Sequence, residues 1–174
     1  MNQELNIRAS EPKDYDIIRE IVRLSFGQPA EARLIDSVRA SENYLPSFDL
    51  VAEIDGVIAG HILISKIDVQ TAEGMVPVLG LAPLSVSPDH QHHGIGGALV
   101  KHGIKVLQRT DFPGMFVLGE PDYYNRFGFE SSSKWEIQSP YPVGEEYFMA
   151  YENGEDSLLD LAGIISYPDY FKEV

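Results

Sequence analysis

The stretch best suited to chemistry reads Gln91-His92-His93-Gly94-Ile95-Gly96-Gly97-Ala98. An apolar run with β-branched residues, Leu79 to Val86, precedes it, and an amphipathic run to about Thr110 follows. A strand, a glycine turn and a helix in that order make an anion site. The first helical turn presents N–H groups that have no intrahelical acceptor, at the positive end of the helix dipole. Glycines let a phosphate approach the backbone without meeting a Cβ. The stretch is therefore expected to hold the pyrophosphate of a cofactor. It is not a P-loop, because Gly97 is followed by Ala98-Leu99 where Lys-Ser/Thr is required. It is not a dinucleotide fingerprint either, because Gly94 and Gly96 fit but the third glycine position is Leu99.

Histidines supply the next candidates. His61 interrupts an apolar run and is a candidate base, although a His so placed is more often hydrogen-bonded at the edge of a core. His90, His92, His93 and His102 invite a metal reading. Adjacent histidines lack ligand spacing and there is no HExxH pattern, so they are expected to border the glycine turn and no metal is expected.

Several elements must position these groups. Leu5 to Ala9 alternates as a first strand. Ser10 is expected to cap a helix over residues 11–26, whose apolar face carries Tyr15, Ile18, Ile21, Val22 and Phe26. Gly27-Gln28-Pro29 ends it, and a second helix follows over residues 30–42. Phe48 to Ile54 and Val57 to Val69 read as strands joined by Asp55-Gly56, a hairpin turn whose central residues need positive φ. Gln70 to Gly74 is a turn and Met75 to Val86 the central strand. Pro83 within it cannot donate to a ladder, so pairing should break there and leave backbone groups for a ligand to bind by strand addition. Met115 to Gly119 is a short buried strand after the motif helix. Pro121 to Phe127 forms a short helix that leaves through Gly128. Trp135 to Gln138, Tyr147 to Tyr151 and Gly163 to Tyr167 are the last strands, with Trp135 in the core.

The chain has 174 residues, a length that suits one domain. It contains no Cys, which excludes disulfides, zinc–thiolate sites and a Cys nucleophile. No apolar run approaches the ~18 residues of a membrane span, and Met1 to Ser10 lacks the regions of a signal peptide, so a cytoplasmic location is expected. A net charge of −14 argues against nucleic acid or an anionic membrane as partner. It favours a cationic substrate such as an amine, although solubility alone would also explain it.

The glycine turn fits a third pattern, Gln/Arg-x-x-Gly-x-Gly/Ala after a strand that ends in Val-x-Pro. Gln91 to Gly96 match it, with Val86-Ser87-Pro88 upstream. A second motif, Tyr-x-x-x-Gly-Phe, stands downstream as Tyr124-Asn125-Arg126-Phe127-Gly128-Phe129. On these two motifs, and on the order of elements over nearly the whole chain, the sequence resembles the GNAT superfamily of acyl-CoA-dependent N-acetyltransferases, most closely its small bacterial members. The resemblance implies an α+β fold of three-layer α/β type. Its sheet would be mixed, centrally parallel, splayed and twisted, and flanked by helices, in a single domain over residues 1–174. It also implies acetyl-CoA as cosubstrate, a small-molecule or peptide amine as acceptor, and room for a homodimer.

Site roles follow from the resemblance position by position. Amides of Gln91, His92, His93, Gly94, Ile95 and Gly96, with Gly97 and Ala98 next in the helix, would bind the CoA pyrophosphate. The pantetheine arm would pair with Leu84, Ser85 and Val86, and the N–H of Leu84 or Ser85 would polarise the thioester carbonyl. Tyr124 would protonate the departing thiolate, since a phenol with pKa near 10 keeps its proton at neutral pH. No motif supplies a base. Glu120 is the first candidate, ahead of Glu53 and His61. Many members place an Asn just before the short helix. Here that segment is Gly119-Glu120-Pro121-Asp122, and Asn125 is the candidate replacement. The alternative to an enzyme is a non-catalytic acyl-CoA-binding or regulatory domain.

Overall fold

A computed structural model describes residues 3–174. Among them the chain forms nine strands and four α-helices, gathered in two compact units. The first unit comprises the chain up to Ser65, Ala82–Val106 and Tyr170–Val174. Strand β1 (Leu5–Ala9) pairs antiparallel with β2 (Asp49–Ile54), and β2 with β3 (Val57–Thr71). The hairpin closes as expected, with Asp55 at φ 51 and Gly56 at φ 83. Strand β4 (Gly74–Val86) is the next neighbour of β3. The turn between β3 and β4 is thus tighter than the expected Gln70 to Gly74, because both strands run on to a single Ala72-Glu73 reversal.

Helix α1 spans Tyr15–Phe26 and buries Ile18, Ile21 and Val22, and Gly27 stops it at φ 68. Its start departs from the sequence reading. Residues Pro12–Asp14 form a 3-10 turn, and Ser10 is not the cap. The Asp14 carboxylate reaches back to the Glu11 N–H at 2.8 Å, while the Arg8 guanidinium donates to it at 2.7 and 3.0 Å. Glu11 is the cap residue instead, in a reciprocal capping box with Asp14. Helix α2 (Ala30–Arg39) ends before residue 42, because the N–H and hydroxyl of Ser41 both donate to the Val38 carbonyl, at 3.0 and 2.8 Å. Helix α3 (Ile95–Leu107) lies directly on β3: a Cβ added at Gly103 would come within 2.6 Å of the Ile64 side chain.

One buried carboxylate ties α2 to this sheet. Asp49 is fully buried and accepts from Arg39 Nε at 2.9 Å, Arg39 Nη2 at 3.3 Å, Tyr44 Oη at 2.8 Å and His61 Nε2 at 2.7 Å. The Arg39 guanidinium also stacks 3.6 Å from the centre of the Tyr15 ring. Burial alone would raise the Asp49 pKa, but the hydrogen bonds from His61 and Arg39 outweigh it and hold the acid well below the usual carboxylate range. Because Asp49 is ionised, the shared proton sits on His61 Nε2.

The second unit comprises Lys66–Leu81 and Leu107–Asp169. Here β4 pairs in parallel with β5 (Gly114–Leu118) at Leu79↔Met115 and Gly80↔Phe116, three residues short of Pro83. Helix α4 (Pro121–Tyr124) follows, then a 3-10 turn over Asn125–Phe127, and Gly128 leaves it at φ 98. Strand β6 (Glu130–Ser131), too short to carry a period, was not legible in the sequence. Trp135 lies in the core at 7% exposed, but in a 3-10 turn over Ser132–Trp135 rather than a strand. Ser131 Oγ caps that turn by accepting the Ser133 N–H, a local polar bond that overrides β propensity. Strand β7 is only Ile137–Gln138. Strand β8 (Phe148–Glu152) pairs antiparallel with β5 and β6, and β9 (Gly163–Ser166) pairs with β3 and β7. Asn153 Nδ2 closes the loop after α3 by donating to the carbonyls of Leu107, Thr110 and Phe112 at 3.0, 3.2 and 2.8 Å.

The Asp49 node sets an acid limit on stability. Asp49 and Asp14 have folded pKa values below their unfolded ones, and burial depresses that of His61. All three shifts mean that the unfolded chain binds more protons, so stability is full above the unfolded values and is lost as pH falls. Urea midpoints should therefore decline below pH ~6.5 through His61 and more steeply below ~4 through the two acids. Asp49→Ala should cost about 3–5 kcal/mol at pH 7, because it leaves buried donors and a guanidinium without their acceptor. Equal unfolding midpoints for variant and parent would rule out this role.

Candidate active site

In the first unit, β4 ends at Val86, and Ser87 turns the chain by donating its N–H to the Ala59 carbonyl at 2.7 Å. A 3-10 turn over Pro88–His90 leads to Gln91. His92 then takes φ 67 and Gly94 φ 77. A Cβ at Gly94 would meet nothing within 4 Å, so glycine is needed there for its left-handed backbone and not to relieve crowding. Helix α3 begins at the next residue, and Ala98 N–H donates to the Gly94 carbonyl at 3.0 Å. This bond commits the Ala98 amide, which the resemblance had grouped with the pyrophosphate ligands. The amides of Ile95, Gly96 and Gly97 come before the helical ladder starts and remain for an anion. Gln91, His92 and His93 are exposed beside them.

The strand end beside this turn is closely held. The Val86 carbonyl accepts from Ser25 Oγ at 3.1 Å and Gln91 Nε2 at 3.4 Å. A Cβ at Gly60 of β3 would lie 3.0 Å from Ile95 Cγ2, 3.1 Å from the Ser85 carbonyl and 3.2 Å from Leu99 Cδ1. Glycine at that point therefore lets the first turn of α3 and the end of β4 sit together on β3. Neither Ser25 nor Gly60 carries a sequence signal for this role, since each acts through a long-range contact. Ser85 is 2% exposed and its Oγ has no hydrogen-bond partner among the described residues. Leaving such a hydroxyl unpaired costs about 1–3 kcal/mol. With the amides at the start of α3, this orphaned group fits a ligand that brings polar atoms to Leu84, Ser85 and Val86.

In the second unit, Glu120, Tyr124 and Asn125 come together on one short helical segment. The Glu120 carbonyl accepts from the N–H groups of Tyr123 and Tyr124, both at 3.1 Å, while its side chain is exposed, as is Asn125. Tyr124 is 9% exposed. Its ring meets Tyr123 edge-on at 4.9 Å and Phe129 at 5.6 Å. Burial first, then the neighbouring Tyr123, pushes its pKa above the ordinary phenol value, so it holds its proton throughout the physiological range. A cavity of about 680 Å3 also lies in this unit, lined by residues such as Glu136, Gln138, Tyr141 and Glu145. Tyr124, Glu120 and Asn125 do not line it.

The other two candidate bases are engaged elsewhere. His61 is fully buried, its Nε2 bonded to Asp49, and burial pushes its pKa down. Its partner Asp49 carried no sequence signal. Glu53 accepts from Arg8 Nε at 2.8 Å. Among the described residues, no group of three or more His, Cys, Asp or Glu is placed to hold a metal ion, and no helix is long and apolar enough to cross a membrane.

Comparison with known proteins places these features in context. Residues 15–129 match the profile of the Acetyltransferase (GNAT) family. The uncharacterized N-acetyltransferase YhbS of Escherichia coli K12 is 31% identical over 166 residues, covering 95% of this chain and 97% of that protein. The uncharacterized N-acetyltransferase YjhQ of the same strain is 34% identical over 139 residues, covering 79% and 77%. In structure, the chain is similar to crystalline YhbS from E. coli in complex with CoA, with TM-score 0.90, 29% identity and coverage of 99% of this chain and 94% of that one. It is also similar to a GNAT family acetyltransferase from Brucella melitensis in complex with acetyl-CoA, with TM-score 0.78, 29% identity and coverage of 98% and 99%.

The turn geometry makes a direct prediction. Gly94→Ala forces a side chain into the left-handed region, at about 1–2 kcal/mol, or else twists the amides that follow. CoA affinity measured by isothermal titration should drop by about fivefold or more, as RT relates that energy to a binding constant. Affinity equal to the parent's would remove the turn from the binding site.

Proposed function

The chain belongs to the GNAT family of acetyltransferases, and from that membership we propose that it moves an acetyl group from acetyl-CoA to a primary amine by direct attack of the amine on the thioester. The observation that carries this reading is the start of α3: amides of Ile95 to Gly97 without helical acceptors, set by Gly94 at φ 77 beside the end of β4. The CoA and acetyl-CoA complexes of the two similar crystal structures support it. The fold is of the α+β, GNAT-like kind, and the whole 174-residue chain acts as one catalytic domain.

Acetyl-CoA, when bound, supplies an activated acyl carbon. The chain supplies the rest. Amides at the start of α3 hold the pyrophosphate, helped by the helix dipole. The exposed His92 and His93 can add positive charge there when protonated. The N–H of Leu84 or Ser85 polarises the thioester carbonyl, oxyanion-type stabilisation worth a few kcal/mol. Tyr124, kept protonated by its burial, gives its proton to sulfur. An exposed carboxylate at Glu120 takes the proton of the attacking ammonium, directly or through water. Asn125 replaces the missing Asn as a cofactor contact. The net charge of −14 raises the local concentration of a cationic acceptor, small molecule or peptide. A cytoplasmic setting accords with a reaction that consumes acetyl-CoA.

The absence of cysteine makes the test simple, because any thiol that appears is CoA. A panel of polyamines, amino acids, aminoglycosides and peptides should reveal an acceptor that releases CoA from acetyl-CoA. Tight acetyl-CoA binding with no release across the panel would favour a binding domain over an enzyme. With the acceptor in hand, Tyr124→Phe should bind acetyl-CoA as the parent does and turn over about tenfold or more slowly, the low end for a lost general acid. Turnover at the parent rate would take Tyr124 out of that role.

A further inference from the structure

Gly119 separates the end of β5 from α4, and its backbone does not call for glycine. The glycines at positive φ among the described residues are Gly27, Gly56, Gly74, Gly94 and Gly128, and Gly119 is not one of them. What the position lacks is room. A Cβ there would lie 2.5 Å from Tyr124 Cε2, 3.1 Å from Cδ2 and 3.6 Å from Cζ. Carbon atoms out of covalent contact keep about 3.5–4.0 Å apart, so the edge of the Tyr124 ring occupies the space a side chain would fill.

Neither partner can step aside easily. The Gly119 N–H donates to the Tyr147 carbonyl at 2.9 Å, next to the β5–β8 pairing of Leu118 with Phe148. The Tyr124 N–H is bonded to the Glu120 carbonyl at 3.1 Å. Tyr123 meets the Tyr124 ring at 82° and Phe129 meets it at 73°. The phenol is therefore confined by two aromatic edges and by the bare Cα of Gly119.

We infer that Gly119 is a positioning residue: by carrying no side chain it admits the Tyr124 ring against the end of β5 and fixes where the hydroxyl is presented. The inference rests on Tyr124 acting as the acid. A misplacement of about 1 Å can cost on the order of a hundredfold in rate, so a methyl group at this point should act on turnover and not on cofactor binding.

The test is a double-mutant cycle on the full chain, with acetyl-CoA and the acceptor found by screening. Gly119→Ala should lower kcat by about tenfold or more and leave acetyl-CoA affinity within about twofold of the parent. In the Tyr124→Phe background the same change should cost nothing further, because the hydroxyl it misplaces is gone. Gly154→Ala, where a Cβ meets nothing within 4 Å, serves as a control for the generic effect of the substitution and should match the parent. Parent-like turnover of Gly119→Ala, or losses that multiply in the double variant, would overturn the inference while leaving Tyr124 as the acid. A silent Tyr124→Phe would overturn both. If Gly119→Ala does not fold, Tyr123→Leu removes the opposing ring edge. It should slow turnover when Tyr124 is present and have no effect when it is Phe, and any other pattern counts against the confined ring.

Discussion

An α-helix cannot satisfy its own first N–H groups, and much of the first unit is arranged around that fact. Ala98 makes the first helical bond of α3, so the amides of Ile95 to Gly97 have to find acceptors outside the helix. Ordinarily a capping side chain serves. Here the residues before the helix are His93 and Gly94, which offer no short side-chain oxygen of the capping kind. Gly94 turns the chain at φ 77, and the neighbouring strand is drawn in close: Gly60 lets Ile95, Leu99 and the Ser85 carbonyl approach to the limit of contact. Amides without helical acceptors and an unpartnered Ser85 hydroxyl thus lie along one short path from α3 to β4. The local cost of leaving these groups unsatisfied is what makes the segment suited to a polar, anionic ligand.

The other face of the same strand solves the opposite problem. Where Gly60 brings elements together by having no side chain, its neighbour His61 does so by a hydrogen bond to Asp49, which itself pairs with Arg39 and accepts from Tyr44. Breaking such a buried ion pair costs more than making it gains, because a lone charge is left in the interior. The node anchors α2, by Arg39 in its last turn, to the β2–β3 hairpin. It also accounts for His61 without any catalytic role: its Nε2 proton is engaged and burial keeps the ring neutral.

Elements that declare themselves by local chemistry were legible in the sequence. The Asp55-Gly56 hairpin, the Gly27 stop, the glycine turn before α3 and the Gly128 exit all follow from backbone conformations that few residues tolerate. Strands β2 and β3 were legible as long apolar runs. The misread positions are those where a particular side-chain hydrogen bond overrides the local propensity. Ser10 looked like a cap until Glu11 took that place in a capping box with Asp14, whose carboxylate is held by Arg8 from β1. Trp135 looked like a strand residue until Ser131 capped a 3-10 turn around it. In the candidate site the motifs pointed to the glycine turn and to Tyr124, but they could not reveal Ser25 on the Val86 carbonyl or Gly60 against Ile95. Both act through contacts between residues far apart in the chain.

For the acid role proposed for Tyr124, its environment has two opposing consequences. Burial raises its pKa, so at neutral pH the proton is always present to be given. The same shift makes the phenol weaker, and a departing thiol with an ordinary pKa near 8.5 is the stronger acid of the two. Simple proton affinity therefore does not favour the transfer. A donor of this kind helps only where charge develops on sulfur as the bond breaks, and only if its hydroxyl already points there. Position must supply what acidity does not. That requirement gives physical sense to a ring confined by Tyr123, Phe129 and the bare backbone of Gly119, where a more acidic but loosely held group would have needed no such enclosure.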